Sequence, residues 1–412
     1  MTKDQRSKGI AVSARKSRRS LVSIVAAAGA VGLFAGCGWP TPASTPVPTP
    51  AAATAAPRPG RADGSATTPP TAAPPAIATN TPSAAPRSGD PVAGLSEAQV
   101  ASLASLERVD DYPLYVMRIH GSYDQRASVP EDRERIPAEH EGTPSPAWSC
   151  SLFAALGGGD SRLYGRNFDW EYSPALLLFT DPPGGYASVS MVDIAYLGFE
   201  DTIVRSLVDQ PLTERQALLR APFLPFDGMN EKGLVIGMAA VPAAEMPHDS
   251  SKETSDSLEV IREMLDHAQD VEEAVGILQS YNIDWGGGPP LHYLLADASG
   301  NAVLVEFFRG EVLLVPSEGG SSAGWHAATN FLRSAVGESA RGVCPRYDHI
   351  SHCLSETAGQ LGPEEALNLL DDVSQHNTQW SVVYEMGSGE VKVTLGRRFD
   401  TVHTFPTGFS GE

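Results

Sequence analysis

The sequence predicts an α+β fold of four layers, αββα, set behind a signal peptide and a disordered Pro/Ala/Thr-rich tether. Three observations carry this. Short apolar or alternating runs separated by Gly, Asp and Pro fill residues 150–240, the pattern of antiparallel strands joined by hairpins. Helical periodicity is confined to two pairs of segments, at 255–281 and 346–373. Strands return between and after those pairs, and this order suits two sheets enclosed by helical layers better than a parallel doubly wound sheet.

The first nineteen residues hold seven Lys/Arg and one acid, and they run into an apolar stretch over 21–35 that is too short for a comfortable membrane span. This is a signal-peptide pattern over residues 1–36. Phe34-Ala35-Gly36-Cys37 resembles a bacterial lipobox, so Cys37 is the candidate for lipid attachment and the membrane an expected partner outside the cytoplasm. Ser17-Arg18-Arg19-Ser20-Leu21 resembles a twin-arginine export signal, with the Sec route as the alternative. Removing residues 1–36 takes away seven positive charges and one negative, so the net charge falls from −20 to −26. So acidic a chain should not bind nucleic acid. Residues 37–94 are dominated by Pro, Ala, Thr and Ser and cannot bury enough apolar surface to offset chain entropy. Some 55 residues of extended tether at ~3.1 Å each reach on the order of 170 Å.

The globular part then divides into 95–149 and 150–412. Residues 114–120 read as a strand that could pair into the sheet, and 130–147 as a polar, proline-rich exposed loop. Strands are expected at 150–156, 162–168, 175–180, 188–195 and 234–240. Helices follow at 255–268, where Leu258, Ile261 and Leu265 share a face, and at 271–281, where Ala274, Ile277 and Leu278 do. Strands at 292–296, 302–307 and 312–315, helices at 346–358 and 363–373, and a hairpin of 380–384 with 391–395 complete the order. Of the four cysteines, Cys344 and Cys353 are poorly placed for a disulfide: a helix over 346–354 rising about 1.5 Å per residue holds them beyond the roughly 7 Å limit.

Cys150-Ser-Leu-Phe-Ala-Ala is followed by Gly165-Arg166-Asn167-Phe168-Asp169-Trp170, then by Asp227-Gly-Met-Asn230-Glu-Lys-Gly-Leu234, Leu291-His292-Tyr-Leu-Leu-Ala-Asp297, Ala328-Thr329-Asn330 and Pro345-Arg346-Tyr347. In this order the strings resemble the cysteine N-terminal-nucleophile (Ntn) hydrolases, the linear amide C-N hydrolase superfamily of choloylglycine hydrolases, acid-ceramidase-like amidases and penicillin acyltransferases (peptidase C45). The resemblance covers most of 150–412. It implies the αββα sandwich, no cofactor, and a precursor cut between Ser149 and Cys150. A small-molecule N-acyl amide is the implied substrate, hydrolysed through a thioester.

The chemistry is self-consistent without a histidine. An N-terminal cysteine carries a thiol of pKa about 8.5 and an α-amine of about 7.7–8.0, so the amine can take the thiol proton and return it to the leaving amine. Arg166 offers a cation that favours the thiolate, and Asp169 a carboxylate to orient the amine. Three-residue spacing puts these two on opposite faces of a regular strand, so the reading requires a bulge or a strand end there. Asn330 matches the family's oxyanion asparagine and Arg346 its late arginine; a turn asparagine and a helix-start arginine are the plain alternatives. Where choloylglycine hydrolases carry a second asparagine this chain has Ala240, which sets bile salts apart as substrates. Asn230 reads as a hairpin residue.

Trp170, Phe223, Phe226 and Trp325 are either an apolar acyl pocket or plain core. His349, His352, Cys344 and Cys353 lack the spacing of zinc ligands, and no metal is expected. His292 and His326 read as strand residues near the core. Acyl transfer to an amine is the alternative within the family; an uncleaved binding lipoprotein, and a thiol hydrolase with His292 or His326 as base, are the alternatives outside it.

Overall fold

The computed structural model describes residues 94–123, 149–199, 201–320, 323–337 and 339–409. The signal peptide, Cys37, the tether up to residue 93 and the 130–147 loop lie outside the described residues.

The chain enters through α1 (Glu97–Ala104), whose start is fixed by a reciprocal capping box between Ser96 and Gln99. Next come β1 (Glu107–Asp110), β2 (Leu114–Arg118), β3 (Ser149–Ala155), β4 (Leu163–Asp169), β5 (Ala175–Thr180) and β6 (Ser188–Asp193). A run of 3-10 turns with the short α2 (Asp201–Val204) spans 194–223, and β7 (Pro225–Asn230) and β8 (Val235–Ala240) form a hairpin. The sequence-based reading missed the 3-10 run, which has no sustained periodicity to detect. Gly233 supplies the φ of +77° that the hairpin turn requires. Asn230 closes that turn, its Oδ1 accepting the N–H groups of Lys232 and Leu234 and its Nδ2 donating to the carbonyls of Leu265 and Ala268.

The following elements are β9 (Thr254–Asp256), α3 (Glu259–His267), α4 (Val271–Ser280), β10 (Asn282–Asp284), β11 (Leu291–Ala296), β12 (Ala302–Phe308), β13 (Glu311–Val315) and β14 (Trp325–Ala328). The chain ends with α5 (Pro345–Glu356), α6 (Pro363–Asp372), β15 (Thr378–Glu385), β16 (Glu390–Leu395) and β17 (His403–Pro406). The helix expected from 255 starts four residues later. Residues 254–256 instead pair in parallel with β10, and the Asp256 carboxylate caps a turn at Leu258 N.

Two mostly antiparallel sheets result. One has nine strands in the order β1-β2-β5-β6-β7-β8-β11-β12-β13, and the other six in the order β14-β3-β4-β15-β16-β17. The segment around 114–118 does pair into the larger sheet, but parallel to β5. The smaller sheet shows how the layers are built. Leu152, Ala154, Phe168, Trp380 and Val382 point into the core between the sheets, while Phe153, Ala155, Leu163 and Val383 point into a second core with α5 and α6. Helices α3 and α4 pack on the other side of the larger sheet. Leu265 of α3 comes so close to Gly228 that a Cβ there would lie 2.8 Å from its Cδ1. The arrangement is mixed α/β, with two large sheets between helical layers.

Candidate active site

Cys150 is the second residue of β3, paired opposite Phe168 of β4, and is 5% exposed. The ladder is regular: Ser149 faces Asp169 and Leu152 faces Arg166, with no bulge in either strand. Arg166 and Asp169 therefore do lie on opposite faces of β4, and the expected bulge between them is absent. The irregularity falls on the neighbouring β15, between Thr378 and Trp380, beside Asp169. Position near the strand end reconciles the two faces, because Cys150 there sends its side chain toward Arg166 on one face while its backbone N–H donates to Asn330.

On the face between the sheets, Arg166 is fully buried and its Nη2 lies 3.9 Å from Cys150 Sγ. Its Nη1 donates to the Phe226 carbonyl at 2.6 Å and to the Asp227 carboxylate, which also accepts from the Tyr384 hydroxyl. Burial alone would lower Arg166, but the Asp227 carboxylate and the Cys150 sulfur raise it, so the side chain stays a cation. Burial pushes the Cys150 thiol up; the Arg166 charge and the backbone N–H of Asp169 pull the other way. Asp227 and Tyr384 were not singled out by sequence reasoning. Asp227 heads one of the strings that carry the family resemblance, but only its burial beside Arg166 marks it out.

On the face toward the helices, Arg346 from the first turn of α5 donates to the Cys150 carbonyl, to Ser151 Oγ at 2.8 Å and to Asn330 Oδ1 at 2.9 Å. Asn330, just past β14, receives the Cys150 N–H on the same Oδ1 at 2.7 Å and donates Nδ2 to the Ala240 carbonyl at 2.8 Å. Two donors on one atom and an acceptor on the other fix the amide's orientation. Asp169 accepts from Thr378 Oγ1, while its Oδ2 makes no hydrogen bond and sits 3.9 Å from Arg346 Nη1. Burial pushes the Asp169 carboxyl up to about 6, against the pull of Arg346 and Thr378. At the end of β4 one buried carboxylate oxygen thus has no hydrogen bond and only the Arg346 guanidinium, at 3.9 Å, as its counter-charge.

Cys150, Arg166, Asp169, Asn330 and Arg346 are thus gathered at one strand end. The aromatic candidates are not all brought there. Phe226 packs edge-on against Phe168 with ring centroids 5.2 Å apart, and Trp170 stacks on Phe168 at 6.3 Å. Phe223 instead packs on Tyr123. Trp325 points into the helix-side core with Phe153 and Tyr347, away from Cys150 Sγ, because its cross-strand partner Ala155 belongs to that face. His292 pairs with Glu306, and His326 Nε2 lies 2.9 Å from the Val315 carbonyl. Cys344 and Cys353 are not joined by a disulfide, and among the described residues no three His, Cys, Asp or Glu side chains gather as a metal-holding group.

The site thus centres on a buried cysteine, second in a strand of a two-sheet sandwich, with a buried arginine near its sulfur. Residues 150–315, a segment that opens at Cys150, match the family of linear amide C-N hydrolases, choloylglycine hydrolase family. The chain is also similar to solved structures. One is penicillin V acylase from Agrobacterium tumefaciens, at 17% identity over 60% of this chain and 83% of that one, TM-score 0.40. Another is a mutant of the conjugated bile acid hydrolase from Clostridium perfringens, at 15% identity over 64% and 93%, TM-score 0.45. A third is an N-acylethanolamine-hydrolyzing acid amidase ortholog from Caenorhabditis elegans, at 12% identity over 58% and 93%, TM-score 0.39.

Proposed function

We propose that the protein hydrolyses a linear N-acyl amide through Cys150, freed as an N-terminal residue by cleavage between Ser149 and Cys150. The observation that carries this is the Cys150 environment: sulfur 3.9 Å from a buried arginine, and backbone nitrogen held at 2.7 Å by Asn330. Once freed, the α-amine takes the Sγ proton and Sγ attacks the substrate carbonyl carbon. The departing amine leaves with that proton, giving a thioester that water resolves. Arg166 favours the thiolate and Asp169 receives the ammonium that forms. One Nδ2 hydrogen of Asn330 is committed to the Ala240 carbonyl, and the other is offered to the oxyanion. Arg346 fixes the Cys150 carbonyl and Asn330 together. Trp170 and Phe226 supply apolar surface for an acyl chain.

In this reading the mature protein is extracytoplasmic, exported behind residues 1–36, held by lipid on Cys37 and spaced from the membrane by the tether. Acyl transfer is the second outcome of the same thioester, since an amine can replace water. An added nucleophilic amine that left the product partition unchanged would exclude it.

The test is the intact mass and N-terminal sequence of the full-length protein beside its Cys150→Ala variant. A fragment beginning at Cys150, absent from the variant, is expected, and Cys150→Ser should be cut slowly. A single uncut mass in both would overturn the self-processing mechanism and leave a binding lipoprotein or a conventional thiol enzyme.

A further inference from the structure

One buried carboxylate lies outside the constellation above and yet is tied to it. Glu306 of β12 belongs to the larger sheet, is fully buried, and faces the space between the sheets beside its cross-strand neighbour His292. Its Oε1 accepts the Arg333 N–H at 2.6 Å, and its Oε2 accepts the Ser334 N–H at 2.8 Å. Those two amides open the 3-10 turn Arg333–Ala335, three and four residues past Asn330. His292 Nδ1 lies 3.3 Å from Oε1, while His292 Nε2 is buried without a hydrogen-bond partner. Burial would push Glu306 up, but these donors hold its carboxyl below the usual range, and it stays charged.

The Asn330 segment is therefore pinned at two points. One is the Asn330 amide itself, between Cys150 N, Arg346 and the Ala240 carbonyl; the other is a carboxylate reaching across from the opposite sheet. Nothing in the packing requires a charge at Glu306: an apolar residue would suit a buried strand position at lower desolvation cost, but would leave two backbone N–H groups unsatisfied. Ala240, the acceptor for Asn330, pairs with Leu291, the residue next to His292. Ala240 on β8 and Glu306 on β12 thus lie on either side of β11, against its successive residues Leu291 and His292.

We infer that Glu306, seated by His292, is a positioning residue for the reaction proposed above: it fixes the 330–334 turn so that Asn330 Oδ1 meets the Cys150 nitrogen and its Nδ2 meets the developing oxyanion. Glu306 touches no reacting atom and acts through Asn330. The inference rests on the proposed self-processing for its functional readout but not for its structural one.

The experiment compares full-length wild type with Glu306→Gln, His292→Leu and His292→Asn. Three quantities are read: the rate of cleavage before Cys150, the rate of Cys150 alkylation by iodoacetamide, and hydrogen exchange of the 329–336 peptide. In Glu306→Gln one of the two backbone N–H groups faces an amide NH2 instead of an oxygen. That variant is expected to exchange the peptide at least about tenfold faster and to cleave about 10–100-fold more slowly, with alkylation within about twofold of wild type, because Arg166 is untouched. His292→Leu should shift the same way to a lesser degree. His292→Asn, whose amide nitrogen can replace Nδ1, should stay near wild type. Unchanged exchange and cleavage in Glu306→Gln would overturn the inference, as would a loss of alkylation in parallel with cleavage, the mark of a structural role only. If wild type itself is not cut, the Ntn reading fails, and unchanged exchange would still overturn the anchoring.

Discussion

Asp169 makes a measurable demand on the uncut chain. Its folded pKa of about 6 stands about two units above its ordinary 3.8, because burial disfavours the charge more than Arg346 and Thr378 restore it. Between those values the folded chain binds more protons than the unfolded one, so this group's contribution to stability falls as pH rises through that window. At roughly 1.4 kcal/mol per unit, the full loss is about 3 kcal/mol above pH 6. Asp193, also pushed up to about 7 by burial, adds a loss of the same sign, so the total slope alone does not isolate Asp169. A difference does: Cys150→Ala, which stays uncut, is compared with Cys150→Ala/Asp169→Asn by chemical denaturation at several pH values from 4 to 8. The asparagine can keep the Thr378 bond and carries no charge. The double variant should lose about 3 kcal/mol less across the range. Cleavage should act like the asparagine, since the new α-ammonium would add a second cation to the distant Arg346 at Oδ2. Parallel profiles for the two variants would remove the basis for giving Asp169 the amine.

Arg166→Gln strands Asp227 in a fully buried place and should cost about 3–5 kcal/mol while slowing Cys150 alkylation at pH 8. Arg166→Gln/Asp227→Asn should regain most of that stability and none of the alkylation rate; recovery of alkylation would refute the role of Arg166 at the thiol. Gly165→Ala places a Cβ 2.4 Å from Phe153 Cζ and should lower the urea midpoint by an amount equivalent to about 1–3 kcal/mol. An unchanged midpoint would mean that β3 and β4 are more loosely packed than described.

Much of the fold was legible because the signals were local. Strand runs such as 175–180 carry their own alternation or apolarity, and Pro345 announces the start of α5. The misjudged segments share a cause, which is that tertiary partners decided them. Leu258 fits the helical face of α3, but the parallel pairing of 254–256 holds the preceding residues extended. Trp325 has the size of a pocket wall, but register with Ala155 turns it to the helix side. Five site residues could be named from motif strings, whereas Asp227, Tyr384, Thr378 and Glu306 act through contacts more than fifty residues apart or across sheets. No spacing rule reports such contacts.

The regular β3–β4 ladder also bears on why a cysteine freed at its nitrogen would suit this site. A nucleophile inside a strand would have its base and its activating cation on the same face, competing for one small space. Here the thiol and the nitrogen of a single residue leave the strand end in different directions. The thiol meets Arg166 in the apolar core between the sheets. The nitrogen meets Asn330, whose Oδ1 is shared with Arg346 on the helix side. Arg346 cannot serve the thiol, since its donors are taken by the Cys150 carbonyl, Ser151 and Asn330. Arg166 cannot serve the nitrogen, since Asp227 and the Phe226 carbonyl hold it on the other face. The two buried arginines therefore divide the residue between them, and Asp169 Oδ2, which makes no hydrogen bond and meets Arg346 only at 3.9 Å, is opposite in sign to the ammonium that cleavage would create.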